Sequence, residues 1–155
     1  MIIRAIIPSE AASVRDLIIR AFGQTDEADL CDALRASGDM ALELVAEHKK
    51  KIVGHVALSR MVSPVGWLAL APLSTDPKMA RRGIGSTLCQ MAIQYANAPV
   101  VVLGEPEFYE RIGFDFERSL CFKTPYPVNY TGLFAPDLDD LHPNATLKYA
   151  SAFET

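Results

Sequence analysis

The chain carries the sequence LSTDPKMARRGIGS at residues 73–86. An apolar run typical of a buried strand ends here, a short loop with two arginines and two glycines follows, and a helical pattern then begins. Glycine lets a ligand approach the backbone closely, and the first turn of a helix presents free N–H groups at the positive end of its dipole. With two arginines at its rim, this stretch predicts an anion site, most simply one for phosphate.

Two common phosphate loops do not fit these residues. A dinucleotide-binding Gly-x-Gly-x-x-Gly motif that starts at Gly83 would need glycine at position 88, which is Leu88. A P-loop would need Gly-Lys-Ser/Thr at the start of the helix, whereas Gly85 is followed directly by Ser86. The remaining pattern, Arg-Arg-Gly-x-Gly between a strand and a long helix, is compatible with a phosphate site and also with an ordinary loop with solvated arginines.

The composition limits the classes of protein to consider. The chain has 155 residues, of which 50% are hydrophobic and 22% charged, and this suits one folded domain. A formal net charge of -4 disfavours a general nucleic-acid-binding surface. Three scattered cysteines and the lack of a signal or membrane-spanning segment predict a cytoplasmic protein without a membrane partner. No cysteine and histidine residues have metal-ligand spacing, and His142 has no neighbour in sequence that suggests a metal.

The elements around the glycine loop are predicted from hydrophobic periodicity and from glycine and proline breaks. Strands are predicted at residues 2–7, 40–47, 51–60, 67–75, 100–103, 114–116, 120–122 and 145–149. Helices are predicted at residues 9–22, 25–37, 82–97 and 105–112. The strand–helix–strand unit from 67 to 103 implies a parallel crossover, and residues 48–50 imply an antiparallel hairpin. The pattern therefore predicts an α/β fold, a mixed sheet flanked by helices, in which Pro72 indicates a bulge or a local splay.

A second motif lies downstream of the loop. Residues 100–114, VVVLGEPEFYERIGF, place a strand and a short helix around Phe-Tyr-x-x-x-Gly-Phe. With the glycine loop, this order resembles the GNAT family of N-acetyltransferases, whose signature is Gln/Arg-x-x-Gly-x-Gly/Ala followed by such a helix. The resemblance spans residues 2–116 in element order and is specific over 73–88 and 100–114. The chain departs from the signature at Ala80, which stands where the family has Gln or Arg.

The resemblance implies a single domain over residues 1–155, with a partly splayed sheet and with 117–155 as a variable C-terminal extension. Residues 149–153 are similar to a predicted-acetyltransferase subgroup of the family. The implied activity is transfer of an acetyl group from acetyl-CoA, the cosubstrate, to a primary amine by direct attack in a ternary complex; no metal is implied. The implied cofactor-binding residues are Leu73, Ser74, Thr75, Arg81, Arg82, Gly83, Ile84, Gly85 and Ser86.

The resemblance also places Tyr109 near the leaving sulfur. A phenol can protonate or hydrogen-bond a departing thiolate, and the competing interpretation is a packed aromatic beside Phe108. The general base is less well defined, because residues 67–75 contain no carboxylate. His55 is one candidate, although a core position is the better expectation for it. Glu105 and Glu107 lie near the expected cleft, but carboxylates at the start of a helix are ordinary capping residues. A chain of water molecules that carries the proton away is the alternative to a side-chain base.

The acceptor is expected to be a small-molecule or peptide amine, and its identity stays open, as does the choice between monomer and homodimer. Asp26, Glu27 and Asp29 would attract a cationic amine, or they simply form a solvated helix start. Two other functions use the same loop. One is a non-catalytic acyl-CoA-binding or sensing module, which Ala80 and the missing carboxylate favour and Tyr109 opposes. The other is a nucleotide- or phosphosugar-binding enzyme.

Overall fold

The computed structural model describes residues 1–136 and 144–154. These residues form a six-stranded sheet with the spatial order β1–β2–β3–β4–β5–β6. The strands are β1 (Ile2–Ala5), β2 (Met40–His48), β3 (Lys51–Arg60), β4 (Leu68–Thr75), β5 (Val100–Leu103) and β6 (Thr131–Phe134). The helices are α1 (Ala11–Phe22), α2 (Asp26–Ser37), α3 (Ile84–Ala96) and α4 (Pro106–Glu110). Because β4 and β5 pair in parallel and the other neighbours are antiparallel, the predicted mixed α/β fold is confirmed.

The turns between these elements follow from local sequence. The β2–β3 hairpin closes through Lys49 and Lys50, whose φ angles of 50° and 64° are those that a two-residue hairpin turn requires. Helices α1 and α2 both end at glycines in the left-handed region, Gly23 at φ 70° and Gly38 at φ 80°. The predicted ends of both helices are therefore confirmed.

Hydrophobic side chains cover both faces of the sheet. On one face, α3 packs Leu88 against Val56 in a cluster that also contains the buried Ile84. On the other face, α1 and α2 pack against Val45 and Ala57. Burial of each such aliphatic side chain contributes roughly 1.5–3 kcal/mol, so the start of α3 is held firmly over the end of β4.

Strands β4 and β5 diverge near Pro72. Pairing between the two strands covers three residues of β4 and stops at Leu70, opposite Val102. On its other side, β4 shifts register against β3 at Ala71 and Pro72. Proline has no N–H to donate to a ladder, which accounts for the break. Both the predicted bulge and the predicted splay are confirmed, and a gap opens between β4 and β5 beyond Leu70.

The two strands predicted just after α4 are wrong. Within residues 114–116 only Asp115 makes a bridge, to Leu133. Residues Arg118–Cys121 form a short 3₁₀ helix instead of a strand. The Asp115 carboxylate causes this turn, because it accepts hydrogen bonds from the N–H groups of Glu117 at 2.9 Å and Arg118 at 2.8 Å.

The sheet edge also differs from the prediction. Strand β6 is not indicated by the sequence, and the strand predicted at 145–149 is wrong, because Thr146 and Lys148 make isolated bridges only. A methyl group built on Gly132 would lie 2.6 Å from Phe116 Cζ, so glycine makes room for the phenyl ring across β6. None of the helices described is long and apolar enough to cross a membrane.

Candidate active site

The glycine loop joins β4 to α3 and leaves its backbone donors free. Arg81 at φ 64° and Gly83 at φ 76° are both left-handed, and α3 begins at Ile84. Such conformations direct successive N–H groups into a shared concave surface. Within residues 1–136 and 144–154, none of the six N–H groups of residues 81–86 has a hydrogen-bond acceptor. The loop therefore offers six donors at the positive end of a thirteen-residue helix.

The side chains of the loop are arranged around these donors. Arg81 and Arg82 are exposed, and neither forms an ion pair with another described residue. Ile84 is 2% exposed and its side chain lies in the core, so only its N–H faces outward. Gly85 and Ser86 are half-buried. The arrangement can bind a multiply charged anion through its backbone, with two guanidinium groups at the rim.

Three elements meet at Gly85. A methyl group built on Gly85 would lie 3.6 Å from Thr75 Oγ1, 3.8 Å from Leu73 Cδ2 and 3.8 Å from Phe108 Cζ. The end of β4, the first turn of α3 and the short helix α4 therefore converge, as the two sequence motifs together predict. The contact made by Phe108 is not indicated by the sequence, which points to the neighbouring tyrosine instead.

Tyr109 lies behind this convergence. Its ring is 9% exposed and packs edge-on against Phe108, at 4.8 Å between centroids, and against Phe114 at 5.6 Å. A methyl group built on Gly104 would lie 2.5 Å from Tyr109 Cε2, so glycine is needed for the ring to pass. Burial, with a smaller contribution from Cys89, raises the pKa of Tyr109 well above its ordinary range. The phenol is therefore held in its protonated form.

A cavity of about 480 Å³ opens where β4 and β5 diverge. The strands contribute Leu70 and Pro72 at its base. Residues from the C-terminal part of the chain form an aromatic wall, made of Tyr126, Tyr149 and Phe153. Tyr149 contacts both other rings, with centroid separations of 5.1 and 5.2 Å. The sequence motifs do not indicate this wall, because none of its residues belongs to them.

The acidic residues at the start of α2 separate into two groups. Asp26 and Glu27 line the cavity beside the aromatic wall, together with Leu30 one turn further on. Asp29 points away from it, and its carboxylate lies 2.9 Å from Arg15. The structure therefore brings two of the three predicted acids to the cavity and assigns the third to an ion pair.

His55 is fully buried and does not line the cavity. Its Nε2 lies 2.8 Å from Oε1 of Glu43, which also accepts hydrogen bonds from Arg35 at 2.7 and 2.8 Å. Burial acts to raise the pKa of Glu43, but the hydrogen bonds from His55 and Arg35 outweigh it and lower that pKa to about 2. The expectation of a core histidine is confirmed. Glu105 and Glu107 are exposed.

Metal ligands do not cluster among the described residues, where no three His, Cys, Asp or Glu side chains come together. His142 lies outside these residues.

Known proteins are similar to this chain in sequence and in architecture. A family model, the acetyltransferase (GNAT) family, matches residues 11–114. An uncharacterized N-acetyltransferase of Escherichia coli K12, YhbS, is 34% identical over 135 residues, which cover 82% of this chain and 81% of YhbS. A second one from the same strain, YjhQ, is 34% identical over 133 residues, which cover 77% of this chain and 73% of YjhQ.

Solved structures give the same result. The crystal structure of YhbS from Escherichia coli in complex with CoA has a TM-score of 0.91 and 28% identity, covering 99% of this chain and 92% of that chain. A GNAT acetyltransferase from Brucella melitensis in complex with acetyl-CoA has a TM-score of 0.84 and 29% identity, covering 98% of this chain and 97% of that one.

Proposed function

The chain belongs to the GNAT acetyltransferase family, and on that premise we propose that it transfers an acetyl group from acetyl-CoA to a primary amine by direct attack in a ternary complex. The observation that carries the proposal is the run of six free N–H groups at residues 81–86. The complexes of similar proteins with CoA and acetyl-CoA support it.

The residues present fit coenzyme A. The pyrophosphate would accept hydrogen bonds from the amides of residues 81–86, with the arginines at the rim. The departure at Ala80 removes one side-chain contact and no free donor, because the Ala80 N–H is already used by Pro77 O at 3.4 Å. Nothing in the packing around Gly85 requires glycine, since an added methyl makes ordinary contacts. Glycine at position 85 would instead serve the ligand, because it lets a phosphate approach the backbone closely.

The pantetheine arm would lie along Leu73, Ser74 and Thr75. Strand β4 has lost its β5 partner over these residues, so backbone groups on that side are available to an extended ligand. One of these N–H groups would polarise the thioester oxygen. The aromatic ring of Phe108, which lies beside Gly85 and Leu73, would close the other side of the channel.

Acetyl-CoA, when bound, supplies a thioester carbonyl that a neutral amine attacks, with release of the CoA thiolate. Tyr109 would hydrogen-bond or protonate that sulfur through its phenol. Its raised pKa keeps the phenol protonated and makes it a weaker acid, which favours a donated hydrogen bond over full proton transfer. Cys89 is buried, and burial raises the pKa of its thiol to about 12, so it is a poor nucleophile. Direct attack therefore fits these residues better than a covalent intermediate.

The cavity between β4 and β5 would hold the acceptor. Asp26 and Glu27 at one side attract a positively charged amine, and the aromatic wall stabilises a cation through its ring faces. Its volume of about 480 Å³ suits a small molecule or the terminal residue of a peptide. The acceptor class we propose is therefore a compact cationic amine.

Titration calorimetry with CoA and a thiol-release assay test the proposal together. The assay uses acetyl-CoA with kanamycin, spermidine, lysine and an alanyl tripeptide as acceptors. We expect CoA binding and release of free thiol with at least one amine. CoA binding without release on any amine would favour the sensing module, which Ala80 and the lack of a carboxylate on β4 support. Binding of ATP without binding of CoA would favour a nucleotide enzyme.

A further inference from the structure

Helix α2 forms one side of the cavity between β4 and β5, and its apolar contacts with the sheet are small. Its residues Asp26, Glu27 and Leu30 line the cavity. The side chains that it packs against α1 and the sheet are those of Ala28 and Cys31. Apolar burial depends on area and has no preferred direction, so two small side chains resist rotation of a helix about its axis only weakly.

Arg35, in the last turn of α2, makes a directional contact with the sheet. It follows Cys31 by four residues and therefore lies on the same face of the helix. Its Nε and Nη2 donate hydrogen bonds to the two carboxylate oxygens of Glu43 on β2, at 2.8 and 2.7 Å. The Glu43 side chain is only 5% exposed. Such a two-point fork fixes the orientation of both groups, because each hydrogen bond needs its own alignment.

Glu43 is itself held from the sheet side. His55 on β3 is fully buried, and its Nε2 lies 2.8 Å from Oε1 of Glu43. Since the pKa of Glu43 is about 2, its carboxylate is ionised and can only accept hydrogen bonds, so His55 Nε2 is the donor. The carboxylate therefore keeps one place on the sheet, and Arg35 is aligned against a fixed partner.

The C-terminal residues of the cavity rest on α2. Leu34 belongs to a buried cluster with Ala150 and Ala152, and Leu30 and Phe153 pack against this cluster. Phe153 is one of the three rings of the aromatic wall. The orientation of α2 therefore sets the position of two carboxylates and of one aromatic ring together.

We propose that Arg35 is a positioning residue for the acceptor amine, because its fork with Glu43 fixes the rotation of α2; this inference rests on the proposed function. Arg35 does not line the cavity and acts through the helix. A helix with its side chains is about 10–12 Å wide, so a rotation of about 10° moves the end of a side chain by roughly 1 Å. Since hydrogen bonds form only between about 2.7 and 3.2 Å, such a shift is enough to break a contact with a bound amine.

The variant Arg35→Met tests this role, and Arg4→Met is the matched control. Arg4 makes the same kind of fork, with hydrogen bonds to the carboxylate of Glu10 at 2.8 and 2.7 Å. Its side chain is 27% exposed against 24% for Arg35. Neither Arg4 nor Glu10 lines the cavity between β4 and β5. Loss of either fork should lower stability, but only the fork of Arg35 lies on the helix that carries acceptor contacts.

Thiol release is measured with the panel amine that the wild type acetylates fastest. We expect Arg35→Met to raise KM for the amine about fivefold, with kcat within about twofold of the wild type, because binding is weakened equally in the ground state and the transition state. The Kd for CoA should not change. Arg4→Met should unfold at lower urea concentration than the wild type and keep the wild-type KM.

Glu43→Gln keeps the size of the side chain and breaks the fork from the other end. It should raise KM to a similar extent, and its combination with Arg35→Met should raise KM no further, because both changes remove one contact. If Arg35→Met fails to fold, which urea unfolding reports, Glu43→Gln decides alone. An unchanged KM in the folded variants would overturn the proposal, and so would an equal rise of KM in Arg4→Met.

Hydrogen exchange tests the anchor without turnover. The amides of α2 should exchange faster in Arg35→Met than in the wild type, and in Arg4→Met they should exchange at the wild-type rate. Unaltered exchange of α2 in Arg35→Met would also overturn the proposal. A wild type that releases no thiol with any amine removes the proposed function and the role of Arg35 together, whereas an active wild type whose variants keep its KM removes the role of Arg35 only.

Discussion

Replacement of Gly85 by alanine should affect the stability of the fold and the affinity for coenzyme A in different ways. The added methyl group would lie 3.6 Å from Thr75 Oγ1, with Leu73 and Phe108 both 3.8 Å away, and these are ordinary van der Waals distances. Gly85 is the second residue of α3 and does not have a positive φ. Because alanine favours a helix over glycine by up to about 1 kcal/mol, the variant should be as stable as the wild type or slightly more stable.

Coenzyme A should not tolerate the same change. Side chains of a helix lean toward its N-terminus, so the methyl group would enter the space at which the first-turn N–H groups of α3 are aimed. Loss of one charge-assisted hydrogen bond costs roughly 1.5–3 kcal/mol. Since about 1.4 kcal/mol corresponds to a factor of ten, the Kd for CoA should rise about 10- to 150-fold.

The assay pairs calorimetric titration of CoA with thermal unfolding, and Gly83→Ala is the contrasting variant. At Gly83 nothing lies within 4 Å of an added methyl, but φ is +76°, so alanine there should lower stability by about 1 kcal/mol. That loss corresponds to a fall in Tm of roughly 2–4 °C. If Gly85→Ala binds CoA as tightly as the wild type, the pyrophosphate does not lie on these amides. If it instead unfolds several degrees lower, the fold itself needs the glycine.

Three further predictions concern side chains. The pKa of Glu43 is about 2 in the folded protein against an ordinary 4.5, so its contribution of about 3 kcal/mol is present above pH 4.5 and is lost as the pH falls toward 2. The free energy of unfolding, measured with urea between pH 3 and 7, should therefore fall as the pH is lowered in the wild type and fall less in Glu43→Gln. Equal dependence on pH in the two proteins would contradict this prediction. Tyr109→Phe should bind CoA normally and release thiol at least about 100-fold more slowly, and undiminished turnover would exclude proton donation. Asp26→Asn combined with Glu27→Gln should raise KM for a cationic amine about 3- to 10-fold, while the control Asp29→Asn leaves it unchanged; an equal KM in all three proteins would rule out an acidic acceptor site.

The glycine loop and the gap beside it are predictable from the sequence, because the backbone conformations of a few consecutive residues determine them. A left-handed residue at the start of α3 favours glycine, and Gly83 supplies it. A proline inside a strand interrupts the ladder wherever the rest of the chain lies, so Pro72 predicts the gap beside β5. Both features depend on a few consecutive residues, and the two motifs place them in order along the chain.

The position of His55 was not predictable, because one bulge determines it. The hairpin starts with His48 opposite Lys51, and an uninterrupted register from there would place His55 opposite Leu44, facing α3. A register shift between Ala46 and Glu47 moves the pairing by one residue and places His55 opposite Val45 instead. Because a one-residue shift exchanges the faces of a sheet, the bulge is what brings the imidazole beside the Glu43 carboxylate.

The aromatic wall was not predictable from the sequence either, because tertiary packing brings its residues together. Tyr126 and Phe153 lie far apart in sequence, and the phenol of Tyr126 reaches the carbonyl of Phe153 at 3.4 Å only because the C-terminal residues pack on α2. Strand β6 was not predictable for the same kind of reason. Glycine is unfavourable in a strand, so Gly132 hides the pattern, and β6 is stabilised by pairing with β5 and by packing of Phe116.

These two halves of the proposed site should respond differently to change in sequence. The donor side consists of backbone N–H groups, which almost any residue supplies, so the loss of the signature side chain at Ala80 leaves six donors in place. The acceptor side consists of side chains from α2, from the splayed strands and from the C-terminal residues, so one substitution there alters charge or shape directly. Two carboxylates and three aromatic rings around about 480 Å³ favour a compact cation over an anionic or bulky acceptor. If the cavity is the acceptor site that we propose, acceptor choice would depend on its walls, and the glycine loop would bear only on the donor.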